Sequence, residues 1–234
     1  MPPAPSVEHA PPPWLRDGVR ATWHEAKTYL ATAWAFKRGP ARFADAWVRG
    51  ARTAAMNPLA MLATGAALTA ATHQLAGAVV GIDHPDGIVD AILSALGPYA
   101  HYIAIGLLCH LVLAPGGKRG VRVLDTIAIA LYAGAGTAAI AEALGWLAVS
   151  ALWPLWPSPI GVAITLGVAF SAFCYVFASA LGGLHKSSWG RVLLAFAIAY
   201  PVTGLVFGVL QPPGNYGMHW VLDVRGGFAL SLGV

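Results

Sequence analysis

Four stretches of this chain run for longer than a membrane is thick without an Asp, Glu, Lys or Arg. Arg52 and Asp83 enclose 30 such residues, Asp90 and Lys118 enclose 27, Glu142 and Lys186 enclose 43, and Arg191 and Asp223 enclose 31. One helix crosses a hydrocarbon core with roughly 20 apolar residues. The remainder of the chain cannot offset these runs. Only 10% of its 234 residues are charged and 57% are apolar, whereas a soluble domain carries about 25% charged residues. The expected fold class is therefore all-α, a polytopic integral membrane bundle.

Helix punctuation divides the apolar runs into five transmembrane helices. The spans are expected at about 59–82, 88–114, 125–152, 160–184 and 189–210. Asn57 and Pro58 open the first, where the missing N–H of proline costs nothing. Pro154, Pro157 and Pro159 interrupt the longest run, because each removes a backbone donor and clashes with the preceding turn. Trp146, Trp153 and Trp156 around that break suit an interfacial aromatic anchor.

Basic residues orient the bundle. Eight precede the first span, Arg16, Arg20, Lys27, Lys37, Arg38, Arg42, Arg49 and Arg52. Lys118, Arg119 and Arg122 follow the second span, and Lys186 and Arg191 follow the fourth. The loops after the first and third spans have none, and only Arg225 lies beyond the fifth. Positive residues stay on the cytoplasmic side, so the N-terminus is expected inside and the C-terminus outside.

The flanks are less apolar. Residues 1–14 contain six prolines and no basic start with an apolar core; they are expected to be a disordered tail rather than a signal peptide. Residues 15–56 predict amphipathic helices broken at Gly39 and Pro40. Their mixed tryptophan and arginine content suits the headgroup boundary, and it equally suits a small hairpin packed on the cytoplasmic ends of the spans. Residues 211–234 are too short and interrupted for a sixth span and are expected against the outer surface, with a re-entrant segment as the alternative.

The pre-membrane segment Phe36 to Gly50 leading into Met56, Asn57, Pro58 and Leu59 resembles that of the Yip-domain family. So do the Gly116, Gly117, Lys118 turn continuing through Val121 to Tyr132 and Ala133, and the turn Leu184, His185, Lys186, Ser187, Ser188, Trp189. That family comprises five-span membrane proteins named for interacting with Ypt/Rab GTPases in eukaryotes. The likeness covers about residues 37–210 and rests on span count, loop lengths and turn patterns. It implies the five-span topology and a role among membrane components rather than catalysis. The Ala- and Arg-rich sequence points to a bacterial member, placed in the cytoplasmic (inner) membrane.

Ionisable groups inside a bilayer are costly and mark candidate sites. Glu142 falls in the third span, about 25 Å from its inner end at 1.5 Å per residue. His73, with Gln74 beside it, falls in the first span and His101 in the second. These four are the candidate ligand or proton site. A Glu–His pair can take up a proton or a cation, because histidine titrates near neutrality. The competing reading has Glu142 reaching the outer interface and each histidine bonded to a neighbouring helix. Asp125 is expected to cap the third span, with His110 near it across the basic loop. No two of His73, His101 and His110 sit at i, i+4 spacing, so no metal site is expected. Cys109 and Cys174 are expected as free thiols packed in the bundle.

Small residues supply candidate packing faces. Gly204 and Gly208 form GxxxG in the fifth span, while Gly134 with Ala138 and Gly167 with Ser171 give the looser form. No phosphate loop, HExxH or GxSxG motif is present, no cofactor is implied, and five spans cannot divide into matching halves. There is no basic patch with interleaved aromatics to bind nucleic acid. The expected partners are the lipid bilayer and other membrane proteins or a second copy. The expected function is a non-enzymatic scaffold or interaction partner; the alternative is a small transporter or channel built on the His/Glu cluster.

Overall fold

The computed structural model describes residues 13–51, 56–80, 88–116, 120–153, 159–210, 218–223 and 227–232. Residues 1–12 of the expected N-terminal tail lie outside them, as do the loop between the first two expected spans, Lys118, Arg119 and the proline-rich break at 154–158, while Pro13 and Trp14, expected in the tail, begin the first helix. Eight α-helices follow in chain order: α1 Pro13–Arg38, α2 Pro40–Val48, α3 Pro58–Val80, α4 Ile88–Leu113, α5 Val123–Ala133, α6 Ala139–Leu152, α7 Pro159–His185 and α8 Trp189–Leu210. The described residues up to Leu210 form an all-helical bundle. Beyond it a two-stranded antiparallel hairpin pairs β1 Met218–Asp223 with β2 Gly227–Leu232.

Helices occupy all five positions at which the uncharged runs predict them. Three segments are long and apolar enough to cross a membrane, Leu96–Leu113, Val123–Leu152 and Gly167–His185. By length and composition these helices are compatible with a membrane-embedded protein. Helix α3 is long enough but less apolar, since Thr64, Thr69, Thr72, His73 and Gln74 dilute its alanines and leucines. Helix α8 offers a shorter apolar stretch, Trp189–Thr203, among the described residues.

The third span is one 30-residue helix with a defect in its middle. Between α5 and α6, Gly134–Ala138 winds as a π-helix, a rare form that widens the turn and concentrates at functional positions. Its sequence, Gly-Ala-Gly-Thr-Ala, explains why neighbours approach so closely. A Cβ on Gly134 would sit 2.5 Å from the ring of Tyr102 on α4, and one on Gly136 would sit 3.3 Å from the Met61 side chain of α3 and 3.4 Å from Ala33 of α1. All five residues of the segment are buried.

Helix α1 lies across this waist. Tyr29, Thr32, Ala33 and Phe36 are buried against the bundle, whereas Trp23, Leu30 and Trp34 on the same helix are more than half exposed. The Tyr29 hydroxyl donates to the carbonyl of Ala135, so α1 is tied to the middle of the third span and not only to the ends of the bundle. Helix α2 packs on the last turns of α7, where Gly183 lets the backbone of Ala41 come into contact. Phe36, Phe43 and Trp47 surround Tyr132 with ring centroids 6.1, 5.0 and 5.6 Å away. That aromatic cluster joins α1 and α2 to α5. Around the outside, Leu59, Leu111, Leu144, Val168, Leu193 and Leu205 are exposed, a surface suited to lipid tails.

Candidate functional site

Polar side chains inside the bundle fall into three groups. The first gathers around Trp146, which is one helical turn beyond Glu142 on α6. Its indole N–H donates to the Glu142 carboxylate at 3.4 Å. His73 from α3 meets the same indole edge-on, with ring centroids 5.1 Å apart. Trp146 is buried and packs with Ala76 and Val149 in a small cluster separate from the main core. Glu142 also lies within electrostatic reach of the Tyr99 and Tyr102 hydroxyls on α4. Gln74 is half-buried beside His73.

His101 belongs to a second group. Its Nε2 lies 3.1 Å from the Thr203 hydroxyl of α8, and its ring is 6.4 Å from that of Tyr200. Of the four candidates, Glu142 and His73 share a partner, while His101 is bonded across to α8. The reason is angular. Successive residues on a helix are turned by about 100° at 3.6 residues per turn, so Tyr99 faces α3 and Tyr102 faces Gly134 and α7, while His101 faces α8.

The third group closes the end of the bundle that carries α2. Thr126, fully buried on α5, sits between two imidazoles. Its hydroxyl is 2.8 Å from His110 Nδ1 and 3.4 Å from His185 Nε2. A hydroxyl has one hydrogen, so it donates to one ring and accepts from the other. Three helices, α4, α5 and α7, are thereby tied at one level. Asp125, the next residue back, acts at the start of α5 as expected. Its carboxylate accepts from the Arg122 backbone N–H at 3.3 Å, from the Arg122 guanidinium at 3.1 Å and from Trp47 Nε1 at 3.2 Å. The hydrogen bond and charge of Asp125 raise the Arg122 guanidinium above its ordinary pKa.

Among the packing glycines, Gly134 accepts the Tyr102 ring, while a Cβ on Gly167 would meet no described atom within 4 Å. Gly204 and Gly208 lie in α8, but their surroundings fall outside the described side chains. Gly65 and Gly183, which the sequence patterns do not single out, are tighter: a Cβ on Gly65 would stand 2.5 Å from the Tyr99 hydroxyl and 3.1 Å from Ala135 Cα. Thr126 and His185 are likewise missing from the sequence-derived sites. A histidine in a turn next to Lys186 gave no sign of total burial. Cys109 and Cys174 are free. Among the described residues, no group of three or more His, Cys, Asp or Glu side chains is placed to hold a metal ion.

No family model, curated protein or solved structure matches this chain.

Proposed function

We propose that this protein is a five-span, non-enzymatic membrane protein of Yip-like type that works by associating with other membrane components. One observation carries the reading. Most intramembrane polar groups are used two or three at a time to join helices: His73 at Trp146, His101 at Thr203, and His110 and His185 at Thr126, while the bond from Trp146 to Glu142 stays within α6. A transport pathway needs such groups to line one route. Here they are distributed over different helix pairs, as bonds that hold a bundle together are.

Five helices at the predicted positions favour an odd number of crossings, with Arg122, Lys186 and α2 at the cytoplasmic end. The inside N-terminus rests on the basic turns, the bacterial inner membrane on the Ala- and Arg-rich sequence, and the Yip resemblance on span count, loop lengths and turn patterns. Two measurements test the reading. Reporter tags on the two termini should be accessible from opposite sides of the membrane; same-side accessibility overturns the topology. Proteoliposomes holding the purified protein should pass protons and monovalent cations no faster than empty ones, and Glu142→Gln should change nothing. A flux abolished by that substitution would establish the transporter alternative instead.

A further inference from the structure

The turn between α7 and α8 frames a cavity of about 230 Å³, lined by Ala41 of α2, Gly182 and Gly183 of α7, Lys186, Ser187 and Trp189 among others. Three features give it a chemical character. Lys186 stands in the left-handed backbone region, φ 52°, directly after the end of α7, where helices commonly terminate in that conformation. Its ammonium holds Asp45 of α2 at 2.7 Å, which uses one of three donors. The Ser187 hydroxyl is buried and makes no hydrogen bond to the protein. In addition, Trp189 and Gly190 begin α8, and the amides of a first helical turn have no acceptor within the helix.

A cation with spare donors, an unpartnered hydroxyl and the positive end of a 22-residue helix meet at one small opening. All three offer hydrogens to an oxyanion. The carboxylate that Lys186 holds, Asp45, is also paired with Arg49, both at 2.7 Å. Apolar surface leads away from the opening: Trp189, Leu193 and Leu194 are each more than half exposed. Trp189 and Leu193, four residues apart, share a helix face. We propose that this cavity binds a phosphate group, that of a membrane phospholipid, with the acyl chains laid along Trp189 and Leu193. The proposal rests on the reading of the chain as a membrane protein, and goes beyond the function proposed above.

The test uses the full chain purified in detergent, with native mass spectrometry after adding phosphatidylglycerol or diacylglycerol. Inorganic phosphate is added in a parallel thermal-unfolding series. The wild type should retain one phosphatidylglycerol and no diacylglycerol. Ser187→Ala removes a group bonded to nothing in the protein, so the fold should stand while retention falls about tenfold or more, the size of one hydrogen bond to a charged group. Lys186→Gln should lower retention at least as much. Stabilisation by phosphate alone, lost in Ser187→Ala, would identify a small anion as the source rather than a lipid. Equal phosphatidylglycerol retention by all three proteins, or no response of the wild type to any phosphate probe, overturns the proposal. Carbonate extraction of the same variants from membranes reports separately on membrane insertion.

Discussion

The middle of the bundle and the end that carries α2 are held together by different means. At the middle, Gly65 lets α3 meet Tyr99 and Ala135, Gly134 and Gly136 admit Tyr102, Met61 and Ala33 into contact with the third span, and the Tyr29 hydroxyl donates to a carbonyl of the π-helix. At the α2 end, charges and hydrogen bonds crowd together: Asp45 with Arg49 and Lys186, Asp125 with Arg122 and Trp47, Thr126 with two histidines. On the topology proposed above, the contrast follows the solvent each region would meet. Lipid tails give helices no hydrophobic reason to associate, so close backbone approach must hold them. Near water the same side chains can be charged, and charge fixes orientation more than it adds stability.

Helix α2 tests that division, because it touches both kinds of contact. Its largest sensitivity is expected at Gly183. A Cβ there would lie 2.6 Å from Ala41 Cα and 2.7 Å from Ala41 C, backbone atoms that cannot rotate aside. Gly183→Ala should displace α2, at a cost of about 3 kcal/mol, the upper end for overpacking. Limited trypsin digestion should then cut at Arg42 and Arg49 while α3 to α8 stay protected. If α2 remains protected, its polar clips hold it and the contrast between regions is wrong.

Gly134→Ala comes next. The clash there is with the ring of Tyr102, which stacks on Phe173 at 4.1 Å between centroids. A ring can shift where a backbone cannot, so about 1–2 kcal/mol is expected, read as a lower melting temperature in detergent. Gly167→Ala is the matched comparison and should be neutral, since its Cβ meets nothing described within 4 Å.

Tyr132 stands where the two regions join. Its hydroxyl donates to the carbonyl of Met56 at 2.8 Å, and both residues are buried. Tyr132→Phe keeps the aromatic cluster and removes that bond, which should cost about 1 kcal/mol. Thermal unfolding checks the size, and accessibility of a cysteine placed at Ala51 checks whether the link from α2 to α3 has loosened. A loss above 3 kcal/mol would mean the hydroxyl does more than tie that link.

The location of the helices was legible because absence of charge is a strong, additive signal over 20 or more residues. Pro58, Gly39 and Pro40 gave their ends for local reasons. The π-helix and the position of α1 were not legible. Both follow from fit in three dimensions: Gly134 and Gly136 are ordinary small residues until Tyr102 and Ala33 are seen filling the space. The same holds for the candidate site. Depth along each span put Glu142, His73 and His101 near one another, but which neighbour each faces depends on helix rotation. One turn of about 100° separates His101 from Tyr102 and sends it to Thr203. The hairpin at 218–232 also escaped the sequence, since six-residue strands paired only with each other leave little periodic trace.

The smallest effect is expected at Asp45, despite two ion pairs at 2.7 Å. Its partners are exposed, Arg49 at 64% and Lys186 at 41% of their side-chain surface, while Asp45 itself is at 16%. Solvent screens such pairs, and each holds a long side chain in one geometry, so together they contribute no more than about 1 kcal/mol. Asp45→Asn should therefore lower the melting temperature slightly at low ionic strength. In about 1 M salt, where charges are screened beyond roughly 3 Å, the difference from wild type should shrink towards zero. The loss from Gly183→Ala, on the same helix, should persist unchanged. Packing against Gly183 would then account for the attachment of α2 and the charges for its alignment. If salt instead removed the Gly183→Ala penalty as well, electrostatics would govern the whole of that end, and the two regions would differ in more than their solvent.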